Sequence, residues 1–223
     1  MDAYQTIKES IIIGKYRPGM RLTEEFLAGE LNVSRTPIRE VLKQLESEGL
    51  LTPLRRGMIV RSFSKEDIRQ IYDLRTLLEG YAAGQAALFR TPTDLQQMRE
   101  ANRLYEQVMD QKDPEEISSI LKIVRANQHF HEAIHVASHN EHLRFHISKV
   151  VVLPLVFQSF YWYDRLERIR SLESHQTILE AIENRDSERA RIAMHEHIYQ
   201  GRDKVLKHLD ELSMEDLKEG KND

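Results

Sequence analysis

The chain has 223 residues, 30% of them charged and 40% hydrophobic, with a formal net charge of −4 and no cysteine. That length suits one large domain or two modest ones. The lack of thiols excludes a disulfide scaffold, a cysteine-ligated zinc finger and a thiol nucleophile, leaving His, Asp, Glu and Asn as metal ligands. The apolar run Val150 to Phe157 is broken by Pro154 and is far shorter than the roughly 20 residues of a membrane span. Met1 to Gln5 lacks the basic and apolar regions of a secretory signal, so the expectation is a cytoplasmic protein with no membrane partner.

Taken in chain order, the first sixty residues are punctuated by Gly and Pro and read as short elements. A helix around Ile7 and Ile11 ends at Gly14. Thr23 caps a second helix, with Glu24 and Glu25 in its first turn, which runs to Leu31; Asn32 then suits a left-handed turn. Ser34 caps a third helix that carries Pro37 in its first turn and runs to about Glu48, before Gly49. Short apolar segments on either side of Arg55-Arg56-Gly57 predict a hairpin with a basic tip.

The whole reads as a mainly α protein. An N-terminal winged helix-turn-helix (three helices plus a small β-hairpin wing) spans 1–61, and a linker spans 62–64. An all-α helical-bundle domain follows over 65–212, and 213–223 reads as a charged, frayed tail. Within the bundle the spacing predicts helices over 65–89, 93–110, 114–138, 141–163, 166–184 and 186–210. Chemistry divides the same way. Residues 1–61 hold ten Lys/Arg against eight Asp/Glu, the remainder is acidic, and all ten histidines lie between His129 and His208.

In a helix-turn-helix the N-terminal end of the second helix enters the major groove. Here that end is Ser34-Arg35-Thr36-Pro37-Ile38-Arg39. Arg35 and Arg39, four apart, share the face opposite Ile38, Val41, Leu42 and Leu45, where each guanidinium can read guanine O6 and N7. Ser34 and Thr36 are placed to hold phosphates. The alternative is a solvated face on which the arginines pair with Glu40 or Glu46.

Gly14-Lys15-Tyr16-Arg17-Pro18-Gly19-Met20-Arg21-Leu22, Asn32-Val33-Ser34-Arg35-Thr36-Pro37-Ile38-Arg39-Glu40-Val41-Leu42 and Leu45-Glu46-Ser47-Glu48-Gly49-Leu50 resemble the GntR family of bacterial transcription regulators. The resemblance implies that Arg35 and Arg39 contact bases or phosphates and that Arg56 and Gly57 of the wing reach the minor groove or its edge. Relatives usually carry two glycines where this chain has Gly57-Met58, and some carry a DNA-contacting arginine where it has Glu25.

Helical periodicity sorts the histidines. On 117–138 the stripe Ile117, Ile120, Val124, Asn127, His131, Ile134 puts Asn127 and His131 at its centre and His135 at the edge. His175 is central between Leu172 and Ile182, and His197 between Met194 and Gly201, with His195 at the margin. Three imidazoles and a carboxamide aimed into one apolar core must be hydrogen-bonded or share a metal, and such donors suit zinc first, with manganese, nickel or iron also possible. A rival clamp, His131 with His135, has no third ligand in this reading. On 65–89 the inward stripe includes Arg75 and Glu79, either a structural ion pair or, for Arg75, a carboxylate anchor.

Ile71 to Glu79, Asn127 to Ile134, Ala137 to Leu143, Glu173 to Ile182 and His195 to Ile198 are similar to the FCD-type effector domain of the FadR subfamily. In metal-binding members the matching positions are Asn127, His131, His175 and His197. Many members have Asp at the first, so Asn127 leaves the site one negative charge poorer. The function this implies is a ligand-responsive DNA-binding regulator, a repressor, acting as a homodimer on double-stranded operator DNA. Its effector would be a small organic acid, a citrate-like di- or tricarboxylate, completing the metal's coordination and steadied by Arg75. The rival is a metal-dependent enzyme with an accessory winged helix, prompted by the zincin-like string His131-Glu132-Ala133-Ile134-His135; the preferred reading is not an enzyme.

Overall fold

The computed structural model describes residues 2–109 and 116–219, with side chains of the last helix to residue 211. The chain divides into two compact units, the first taking residues up to Ser64 together with Val152–Pro154 and the second the rest from Lys65 on. In the first, α1 (Ala3–Ile12) starts where the Asp2 side chain accepts the Tyr4 N–H, and it buries Ile7 and Ile11. Thr23 caps α2 (Glu24–Leu31) by accepting the Phe26 N–H, and Asn32 ends it at φ 52°. α3 (Arg35–Ser47) buries Ile38, Leu42 and Leu45. Ser34 takes the N-cap position of α3 with extended backbone but forms no side-chain capping bond, which leaves its hydroxyl uncommitted to the helix.

The sheet has one strand more than the expected hairpin. β1 (Arg21–Leu22) pairs with β3 (Met58–Val60), which also pairs with β2 (Leu51–Pro53), in antiparallel order β1-β3-β2. Gly57 sits between β2 and β3 at φ 86°, and a Cβ there would come within 2.6 Å of the Leu22 carbonyl oxygen. Both the backbone angle and the closeness of β1 therefore demand glycine.

The second unit contains α4 (Lys65–Phe89), α5 (Pro92–Met109), α6 (Ile117–Ala137), α7 (Glu141–Val150), α8 (Leu153–Trp162), α9 (Arg165–Glu183) and α10 (Ser187–Glu219). α4 packs closely on α10 because Gly80 and Gly84 leave room for His195 and Ser187. Two sequence expectations are corrected. The single helix over 141–163 is two, bent by 63°, because Pro154 lacks an amide donor and disfavours helix before it; Val151 is extended at ψ 102°. The last helix also extends past its expected end at 210: α10 runs to Glu219, since no Gly or Pro lies between Gly201 and Gly220. The first residues expected in the helix over 114–138 lie outside the described residues. No single helix among the described residues is long and apolar enough to cross a membrane.

Candidate metal centre and DNA-reading surface

Four helices converge on one buried polar cluster. α6 supplies Asn127, His131 and His135, α9 supplies His175, α10 supplies His197, and α4 supplies Arg75 and Glu79; all are at most 9% exposed. His197 is the hub: its Nε2 lies 3.1 Å from His131 Nε2 and 3.3 Å from His175 Nε2. Ligands about 2.0–2.1 Å from a tetrahedral ion are spaced by roughly 3.3 Å, so this trio fits one divalent ion. Asn127 Oδ1 is buried beside them with no hydrogen-bond partner. The ring of His175 is stacked on Phe130 with centroids 4.1 Å apart, and Tyr105 lies 4.6 Å away.

Burial holds these imidazoles neutral. Burial pushes His175 well below the ordinary histidine value, and burial with the neighbouring His131 takes His197 to about 3. His131 is also lowered by burial, against the pull of Glu79. Burial works to raise Glu79, but the adjacent Arg75 and His131 outweigh it and hold the carboxyl well below its usual range.

His135 departs from its expected edge position: it is 5% exposed, and its missing third partner exists. Glu79 Oε2 lies 3.1 Å from His135 Nε2 and 2.8 Å from His131 Nδ1, and Arg75 Nε donates to Glu79 Oε1 at 2.9 Å. Glu79, His131 and His135 thus form a second group with metal-ligand spacing. This carboxylate already accepts from Arg75 and faces two rings, so the group is internally satisfied, whereas the His131, His175, His197 group keeps an orphaned oxygen. Glu132, the acid of the zincin-like string, is half exposed and paired with Arg144 at 2.6 Å.

Beside the three-histidine group lies a cavity of about 30 Å³ lined by Arg75, Asn127, His131 and His197, by Tyr72, Tyr163 and Gly201, and by Val156, Ser159 and Phe160 of α8. That is room for roughly one or two waters.

On the first unit, Ser34, Arg35, Thr36, Arg39 and Arg56 are all exposed. The arginine partners are not Glu40 or Glu46. Arg39 makes a two-pronged pair with Glu24 at 2.7 and 2.9 Å, and Arg35 meets Glu25 at 3.0 Å. The first turn of α2 lies beside the first turn of α3, so both acids reach across, while Glu40 holds Lys43. The Arg56 carbonyl accepts from Arg21 Nε and Nη2 at 2.9 and 2.6 Å, tying the wing tip to β1.

Residues 1–60 match the gntR family of bacterial regulatory proteins, and residues 70–200, more than half of the chain, match the FCD domain. The Nta operon transcriptional regulator of Aminobacter aminovorans is 29% identical over 192 residues, 86% of this chain and 87% of that protein. The gluconate operon transcriptional repressor of Bacillus licheniformis is 29% identical over 204 residues, 86% of this chain and 78% of that one. The structure of E. coli McbR/YncC superposes with a TM-score of 0.75 at 24% identity over 93% of this chain and 96% of that chain, a likeness of fold. Transcription regulators, not enzymes, are what this chain is similar to, and the enzyme reading is set aside.

Proposed function

The chain belongs to the GntR family of bacterial transcription regulators, its C-terminal unit an FCD domain, and on that premise we propose that it is a cytoplasmic, ligand-responsive repressor in which Asn127, His131, His175 and His197 hold one divalent metal. The observation that carries the metal reading is the orphaned Asn127 Oδ1 beside three neutral imidazoles, with the Nε2 atoms of His131 and His175 within hydrogen-bonding distance of that of His197. No protein donor reaches that lone pair, which leaves it open to a cation. Zinc leads among the candidates because three imidazole nitrogens at this spacing, with a carboxamide oxygen nearby, suit it.

When bound, the ion would supply a positive Lewis-acid centre for an anion. Arg75 lines the same cavity, and Glu79 holds it through Nε, which leaves Nη donors for a carboxylate. The effector is then a small organic acid. The cavity admits a carboxylate head but not a whole citrate-like molecule, so a di- or tricarboxylate requires Val156, Ser159 and Phe160 of α8 to move outward.

On DNA, Arg35 and Arg39 exchange Glu25 and Glu24 for guanine edges, Ser34 and Thr36 meet phosphates, and Arg56 with Gly57 presents the wing. Homodimerisation on a two-fold operator is supported by an exposed apolar stripe on α4, Leu74, Leu77, Tyr81 and Leu88, a face suited to a second copy. The test is metal analysis of stripped and reloaded protein, followed by calorimetric titration of di- and tricarboxylates with and without operator. About one ion per chain, lost in His175→Ala and kept in His135→Ala, is expected. The reverse pattern would assign the metal to Glu79, His131 and His135, and no heat from any acid would remove the effector.

A further inference from the structure

Both oxygens of Glu79 are engaged, and the side chain is fully buried. Oε1 accepts from Arg75 Nε; Oε2 faces His131 Nδ1 at 2.8 Å and His135 Nε2 at 3.1 Å. A carboxylate beside a buried guanidinium only accepts, so the ring nitrogen at 2.8 Å carries the proton. A neutral imidazole has one N–H. With Nδ1 protonated, the lone pair of His131 sits on Nε2, the atom 3.1 Å from the hub nitrogen of His197.

We propose that Glu79 is a positioning residue that fixes His131 as the Nδ1–H tautomer and turns its Nε2 toward His175 and His197. Its use rests on the proposed metal reading, although its geometry does not. The same contacts settle which of the two overlapping groups supports the other. An ion between Glu79, His131 and His135 would have to displace the ring protons that the carboxylate accepts and would sit beside the Arg75 guanidinium. The three-histidine group gains a partner for Asn127 Oδ1 and breaks no bond to Glu79. His135 is then a second donor to Glu79 and not a ligand. Through Glu79, α4 is joined to the site although it contributes no ligand. Outer carboxylates of this kind hold a ligating histidine by its second nitrogen and raise metal affinity.

The experiment is long-range proton–nitrogen correlation NMR of metal-stripped, full-length protein carrying ¹⁵N-histidine, with His131 assigned by loss of its signal in His131→Gln. Wild type is expected to show the Nδ1–H form. In Glu79→Gln the amide has one acceptor, which stays on Arg75, so its NH₂ group meets His131 Nδ1 and the proton moves to Nε2. Zinc affinity should then fall about 10- to 100-fold. An Nε2–H tautomer in wild type overturns the proposal, as does a Glu79→Gln protein that keeps the tautomer or binds zinc like wild type. The wild-type spectrum decides the first point even if the variant fails to fold. A wild type with the expected tautomer that takes up no zinc leaves the Glu79 contact standing and refutes the metal reading alone.

Discussion

The same pair, arginine with glutamate, appears in both units with opposite consequences. Arg39 and Glu24 meet at 2.7 Å with their side chains 58% and 30% exposed; Arg75 and Glu79 meet at 2.9 Å with theirs 8% and 0% exposed. Water and salt screen the first pair, so a phosphate or guanine can replace Glu24 at little net cost. The second has no competing solvent, and removing either member takes away the opposite charge that balances the other in a buried site. One unit keeps its charges ready for exchange, and the other locks them to shape a cluster of neutral histidines.

The largest effect that sharpens this contrast is on stability. Arg75→Ala should destabilise the protein by about 3–5 kcal/mol, the cost of breaking a buried ion pair, while Glu24→Ala leaves denaturant unfolding unchanged. Comparable losses from both would erase the distinction.

Acid comes next. His175 and His197 are held neutral by burial, so the unfolded chain takes up protons as pH falls through about 6.5 while the folded chain does not until far lower, near 3 for His197. Their contribution to stability is whole above pH 6.5 and drains away below it, by about 1.4 kcal/mol per pH unit and ring. His135 is raised by Glu132 and Glu79 against burial, so its smaller contribution is present at low pH and is lost as pH rises through its raised value. Trp162, the only tryptophan, lies in the C-terminal unit and reports its unfolding. In metal-stripped protein its transition should weaken steeply from pH 7 to 5, whereas a flat profile would mean that the rings are not held neutral.

On DNA, Arg39→Ala should lose about 10- to 100-fold on a specific operator and much less on random duplex in gel-shift titrations. Equal losses on both would reduce it to a phosphate contact. The smallest effect is expected from Gly201→Ala. A Cβ there meets Tyr72 at 3.7 Å and the Tyr163 hydroxyl at 3.8 Å without a clash, so folding and metal content persist while the small cavity shrinks. Carboxylate affinity should fall several-fold, and an unchanged titration would place the effector elsewhere.

Much of the fold was legible because local chemistry writes it. Thr23, Asn32, Gly49 and Gly57 mark turns and caps that depend only on their neighbours. β1 was missed because two residues, Arg21 and Leu22, show no alternation; their partner Met58–Val60 is 35 or more positions away. Helix periodicity found the inward faces of Asn127, His131, His175 and His197, since a three-four spacing fixes a face whatever packs on it. It placed His135 at the margin because the stripe continues from His131 to Ile134, three positions on, and His135 is the next residue round the helix. Nothing local couples Glu79 to His131. The available hint was a carboxylate at the centre of an apolar stripe, whose positive partners need not all lie on its own helix. The acids opposite Arg35 and Arg39 were likewise sought on α3, whereas the fold supplies them from the first turn of α2.

The aromatic bracket around His175 has a consequence for substitution. Phe130 stacks on this ring on one side and Tyr105 lies against it, so the pocket is already shaped for a flat apolar side chain. An aromatic replacement at 175 would keep the packing and remove one donor from the trio. On the proposed metal reading, one change in a ready-made slot would therefore abolish the ion site without rebuilding the bundle.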